Sequence, residues 1–159
     1  MNCSSLLCNH NCHPASVKAL WISLVVLASD QAIKFLLRRH IRPAAVPREP
    51  IAGIRVVEAR IWVLRLGMKC SGVELWCLWA AAATPLAIVA TLLPPYAAFV
   101  GLLLGGSLSH VVESSTRGSI TDYACLRFWP ASNLADLALT VGAIGALAEL
   151  LITVSTTAF

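Results

Sequence analysis

Two aspartates, Asp122 and Asp136, flank a polar connection between the last two apolar stretches of a 159-residue chain. A carboxylate at a membrane boundary is costly, so two of them brought toward one another across a short loop mark a functional site by default. Hydrolysis of an amide without a metal or a covalent intermediate needs a base to take a proton from water. It also needs an acid to protonate the carbonyl oxygen and then the leaving nitrogen. Two carboxylates sharing one proton do both, because like charges a few ångströms apart do not both ionise cheaply. No other constellation competes: the chain has no Gly-x-Ser-x-Gly elbow, no His-Glu-x-x-His and no P-loop. From the acids alone the rival reading is a small proton or ion carrier, and their place near the ends of apolar stretches counts against it.

The neighbours of the two acids refine their roles. Asn133 is placed to cap the last apolar stretch, which puts Asp136 in a first helical turn where the helix dipole favours negative charge. Asp122 has no such partner in sequence, and a drier setting there would raise its pKa. His110 is the only histidine near the connection, and Gly105-Gly106 one turn earlier permits either close helix packing or close backbone approach to a ligand. In the first apolar stretch Asp30 and Lys34 stand four apart on one face. That pair either anchors the helix end, with the lysine stem reaching toward the interface, or serves the site directly.

Hydrophobic residues make up 58% of the chain and charged residues 13%, which defines an integral membrane protein. The apolar stretches are too long for the alternating strands of an outer-membrane barrel. They predict an all-α bundle of four transmembrane helices over about 17–37, 73–93, 96–112 and 134–154, as one membrane domain of residues 17–155. The first is not a cleaved secretory leader, since Asp30 and Lys34 interrupt it and no small-residue cleavage site follows. Between the first two spans, loop 39–71 holds three prolines and then a β-branched run from Ile54 to Arg65, which predicts a small β element lying against the membrane surface. The second loop, 113–133, reads as a polar hairpin with a turn at Ser114–Gly118 and an interfacial anchor at Phe128-Trp129-Pro130. An even number of spans puts both loops on one side.

Eight of the twelve Lys and Arg lie between Arg38 and Lys69, and Arg117 and Arg127 add two in the second loop. Attraction to anionic lipid headgroups explains this charge, and no aromatic-interleaved module or zinc-finger spacing supports a nucleic-acid partner. Counted by the positive-inside rule, the loops would face the cytoplasm. Residues 1–16 form a polar tail with Cys3, Cys8, His10, Cys12 and His13. Their spacing does not bracket a foldable zinc loop, so no metal and no other cofactor is expected. Cys70, Cys77 and Cys125 are scattered and behave as small apolar residues.

Three blocks together resemble the lipoprotein signal peptidase (signal peptidase II) family of four-span bacterial inner-membrane aspartyl proteases. Asp30-Gln31-Ala32-Ile33-Lys34 is similar to its Asp-Gln-x-x-Lys. Gly105-Gly106-Ser107-Leu108, then Gly118 and Asp122-Tyr123, look like its Gly-Gly-Ala-Leu-Gly-Asn … Gly … Val-Asp-Phe block. Asn133-Leu134-Ala135-Asp136-Leu137 is similar to its Asn-x-Ala-Asp-Ser box. The match runs from about Trp21 to Leu150. The resemblance implies that Asp122 and Asp136 are the catalytic pair, with Asp30, Lys34, Gly105, Gly106, His110 and Asn133 as supporting or substrate-binding residues. It implies a prolipoprotein substrate with a diacylglyceryl-modified cysteine, cut just before that cysteine by a monomer among membrane lipids. Loops 39–71 and 113–133 would then be periplasmic, against the charge count, with the first forming a cradle over the substrate. His110 stands where the family pattern has Asn, Glu113-Ser114 where it has Asp-Arg, and Arg65–Cys70 occupies the place of an Asn-containing loop block. These substitutions support the alternative of a non-catalytic relative that binds lipoproteins or a peptide antibiotic.

Overall fold

The computed structural model describes residues 15–40, 52–59, 71–126 and 129–157, with backbone alone at 52–59, 125, 126, 129 and 130. Helix α1 spans Ala15–His40 and ends on Arg38, Arg39 and His40, basic residues that suit the negative end of a helix dipole. Strand β1 (Ala52–Ala59) follows. Helix α2 (Gly72–Leu92) opens with a reciprocal cap in which the Glu74 N–H donates to Ser71 Oγ and the Ser71 N–H donates to Glu74 Oε2. Pro94–Tyr96 forms a single 3-10 turn that reverses the chain into α3 (Ala97–Arg117). Gly118 stops α3 at φ 71°, a left-handed conformation open to glycine, and returns its N–H to the Ser114 carbonyl. Strands β2 (Ile120–Leu126) and β3 (Trp129–Ser132) lead into α4 (Leu134–Thr157).

All four helices are long and apolar enough to cross a membrane. Large apolar side chains such as Trp21, Phe35, Val73, Ile144 and Leu151 point outward, as a lipid-facing belt requires. Helix α3 lies at the centre and packs on α1, α2 and α4. Small residues allow this. A Cβ on Gly101 would sit 2.7 Å from the Ala19 carbonyl oxygen, one on Gly105 2.7 Å from that of Ser23, and one on Gly106 2.7 Å from that of Ala135. Gly101 and Gly105 thus seat α3 on α1, while Gly106 seats it on α4, so backbones touch where lipid offers no hydrophobic drive to associate.

The extramembrane sheet has the order β1-β2-β3, all antiparallel. The β element expected in the first loop is therefore one strand of a sheet completed by the second loop. Val57 pairs with Asp122 and Ile54 with Ala124, so two residues of β1 face one of β2 in a bulge beside the aspartate.

Three expectations need correction. The third span does not end at 112: α3 continues to Arg117, and Ser114–Arg117 are helical rather than a turn. The added turn is held because Glu113, unaffordable alone in an apolar helix, meets cations from α1. Asp122 does not flank the connection between the last two spans but lies inside it, in the central strand of a sheet. Lys34 does not reach toward the interface but is fully buried. Cys3, Cys8, His10, Cys12 and His13, the strand reading beyond residue 59, the Arg65–Cys70 segment and Phe128 lie outside the described residues.

Candidate active site

The first turn of α4 is the joint on which the site is built. Its early backbone N–H groups have no partner within the helix, and two neighbouring elements and the cap residue answer them. The Leu134 N–H donates to Tyr123 Oη of β2 (2.9 Å), the Ala135 N–H to Asp30 Oδ1 of α1 (3.3 Å), and the Asp136 N–H to Asn133 Oδ1 (3.0 Å). Asp136 answers in turn, since its Oδ2 accepts the Asn133 N–H at 3.0 Å. The expected cap is present in reciprocal form.

Asn133 does more than cap. Its Nδ2 donates to Asp122 Oδ1 at 2.6 Å, so one amide ties both aspartates, its oxygen on the Asp136 backbone and its nitrogen on the Asp122 carboxylate. Asp122 is buried, at 9% exposure, whereas the Asp136 side chain is 40% exposed. Burial pushes the Asp122 carboxyl up to about 6, helped by the Asp136 charge and opposed by the Asn133 hydrogen bond and by His110 and Lys34. Burial also raises the Tyr123 phenol, which keeps it neutral as an acceptor for α4. His110 Nε2 lies 3.0 Å from Asp136 Oδ1, so both oxygens of that carboxylate are engaged.

Beneath the pair runs a chain of buried charges. Lys34 Nζ sits 2.7 Å from Asp30 Oδ2 and 2.8 Å from Glu113 Oε2; Arg38 Nη1 lies 2.6 Å from Glu113 Oε1 and donates to Thr121 Oγ1 at 3.0 Å. Asp30 Oδ2 also accepts from Ser109 Oγ, which accepts from Gln31 Nε2 at 2.8 Å. Two acids and two bases cancel, which is how ions persist in an apolar bundle. The chain reaches from α1 through α3 to the residue before Asp122, and from α1 directly to the residue before Asp136. Asp30 and Lys34 thus support the pair from below, without either of them bonding to it.

The structure therefore brings Asp122, Asp136, Asn133 and His110 together, with Asp30 and Lys34 one layer deeper and Gly105 and Gly106 at helix contacts. Sequence reading missed Glu113, Arg38, Thr121, Ser109 and Tyr123. A hint was available: Arg38 is one turn beyond Lys34 on α1, so Asp30, Lys34 and Arg38 form one charged stripe that needs an acid opposite. Among the described residues no group of His, Cys, Asp and Glu forms a metal-binding cluster.

The class defined by fold and site is a polytopic membrane protein with a bridged carboxylate pair at one rim of a four-helix bundle. The family model described as signal peptidase (SPase) II matches residues 22–152, and the chain belongs to that family of peptidases. Lipoprotein signal peptidase of Moorella thermoacetica is 27% identical over 133 residues, which cover 79% of this chain and 87% of the relative. That of Burkholderia thailandensis is 29% identical over 141 residues, covering 79% and 82%. A bacterial membrane enzyme solved by the in meso method at 1.9 Å resolution superposes with a TM-score of 0.70 at 17% identity, covering 85% of this chain and 93% of the other. A second, at 2.3 Å resolution, gives 0.70 at 18%. At such identities the two solved structures speak for the fold.

Proposed function

We propose that this protein is an aspartic endopeptidase that removes the signal peptide from prolipoproteins, cutting just before a diacylglyceryl-modified cysteine, with Asp122 and Asp136 as the catalytic pair. The observation that carries the reading is Asn133, whose side-chain amide holds the buried Asp122 carboxylate and whose backbone N–H holds the solvent-reaching Asp136 carboxylate. Asp136, ionised and open to water, takes a proton from the attacking water. Asp122, raised by burial, holds the shared proton and gives it to the carbonyl oxygen of the scissile peptide. As the resulting diol collapses, a hydroxyl proton returns to Asp122, the C–N bond breaks, and Asp136 protonates the leaving nitrogen. The pair ends in its starting state and titrates as a unit.

The chemistry at this rim suits a substrate whose acyl chains lie in the bilayer while its peptide bond reaches the headgroup layer. We place the rim at the outer face of a bacterial inner membrane, with the sheet among headgroups and the protein acting as a monomer. The decisive measurement is cleavage of a diacylglyceryl-modified precursor by wild-type protein and by Asp122→Asn and Asp136→Asn. Loss of either acid–base group lowers turnover by roughly 10²–10⁴-fold. Equal cleavage by either variant defeats the mechanism, and tight precursor binding by wild type without turnover identifies a non-catalytic relative.

A further inference from the structure

His110 is a third proton-bearing group in contact with the pair. Its Nε2 faces Asp136 Oδ1 at 3.0 Å, while its Nδ1 is buried with no hydrogen-bond partner among the described residues. Imidazole is the side chain whose ordinary titration falls near neutrality, and its two nitrogens exchange donor and acceptor roles.

We infer that His110 is a positioning residue that decides which of the two aspartates holds their shared proton. The inference rests on the aspartyl reading above. Asp136 Oδ2 already accepts the Asn133 N–H. When Nε2 carries hydrogen, it donates to Oδ1, both oxygens of Asp136 act as acceptors, and the shared proton resides on Asp122. When Nε2 is bare, the only hydrogen for the same contact is one on Asp136 Oδ1, and the proton crosses to the other side of the Asn133 bridge. One imidazole tautomer or charge state therefore selects acid and base. Other ionisable groups face this cluster from each neighbouring element: Asp30, Lys34 and Arg38 from α1, Glu113 from α3, Asp122 and Tyr123 from β2. Glu74 at the start of α2 is engaged in its helix cap. Asp30, Lys34, Glu113 and Arg38 are tied to one another as opposed charges, and His110 is the ionisable group of this set whose side chain directly contacts an aspartate of the dyad.

The test is the pH profile of precursor cleavage by wild type, His110→Asn and His110→Gln, beside Asp136→Asn. An amide keeps a donor toward Asp136 but carries no titrating charge. The variants keep turnover within about tenfold of wild type at their optimum. Their alkaline limb moves to higher pH by about half to one unit, because the imidazole charge that favours loss of the pair's last proton is gone. Profiles that superimpose on wild type overturn the inference, as does loss of all turnover in a folded His110 variant, which would mark a group in the chemical step itself. If both variants fail to fold, nitrogen NMR decides on protein in which His10, His13 and His40 are replaced by Gln and His110 alone is left. Its titration and tautomer signals shift on Asp122→Asn if the linkage exists, and unchanged signals overturn it. Full cleavage by Asp136→Asn would instead remove the aspartyl reading, an outcome the NMR coupling does not mimic.

Discussion

The Asn133 amide separates two duties that a single substitution can pull apart. Its oxygen caps α4, and its nitrogen holds Asp122. Asn133→Ser retains a capping oxygen, so the melting temperature in detergent stays close to wild type, because serine and asparagine cap comparably. It removes the amide donor, and cleavage falls by on the order of 10²-fold as Asp122 loses its set position. A variant that melts early and cleaves normally would show that the cap, not the bridge, is what matters. Asp122 also gives stability a pH dependence. Its folded value near 6 lies above the ordinary 3.8, so above pH 6 the fold carries the full penalty of a buried charge. As pH falls from above 6 toward 4, the folded state takes up a proton that the unfolded state lacks, and stability rises. Thermal unfolding of wild type minus Asp122→Asn at pH 5 and pH 7 isolates this slope, and Asp122→Asn loses it. At this scale the sequence was informative wherever partners are local. Asn133 and Asp136 are three apart and announce a cap. That Asp122 is joined to the same amide depends on a strand whose burial no window of sequence displays.

Helix α3 is the element where local reading failed, and the failure has a physical cause. Glu113 and the serines after it look like the start of a loop, since a lone carboxylate does not belong in an apolar span. What keeps it there is Lys34 and Arg38, 79 and 75 residues earlier in the chain, contributed by a different helix. The four spans themselves were legible to within a few residues elsewhere because their signal is composition, which needs no partner. The β element was legible as a strand but not as a shared sheet, since its pairing partner β2 belongs to the second loop. Lys34→Met tests the charged stripe. It leaves Asp30 and Glu113 buried without their common cation, which costs about 3–5 kcal/mol. Detergent unfolding should show the loss, and combining it with Asp30→Asn and Glu113→Gln should restore part of it. Loss undiminished in the triple variant would mean that packing of the lysine stem, rather than its charge, holds α1 to α3.

Across the whole molecule the C-terminal ends of α1 and α3 and the N-terminal ends of α2 and α4 share one rim, and the Pro94–Tyr96 turn marks the other. In a background without native cysteines, Glu58→Cys and Ser119→Cys should react with a membrane-impermeant thiol reagent from one side, and Leu93→Cys from the opposite side. Labelling of residues 58 and 119 from different sides would break the shared sheet and with it the site. The rim is also assembled from distant parts of the chain: Asp30 bonds to Ser109, 79 residues on, and to the Ala135 N–H, 105 residues on. During synthesis α1 therefore enters the bilayer with Asp30 and Lys34 holding only each other across one helical turn. The acid on β2 and the acid on α4 meet only after the last helix has been threaded. A nascent copy that has not yet placed α4 therefore lacks the Asn133-joined arrangement of the two aspartates, and the rim is among the last parts of the bundle to assemble.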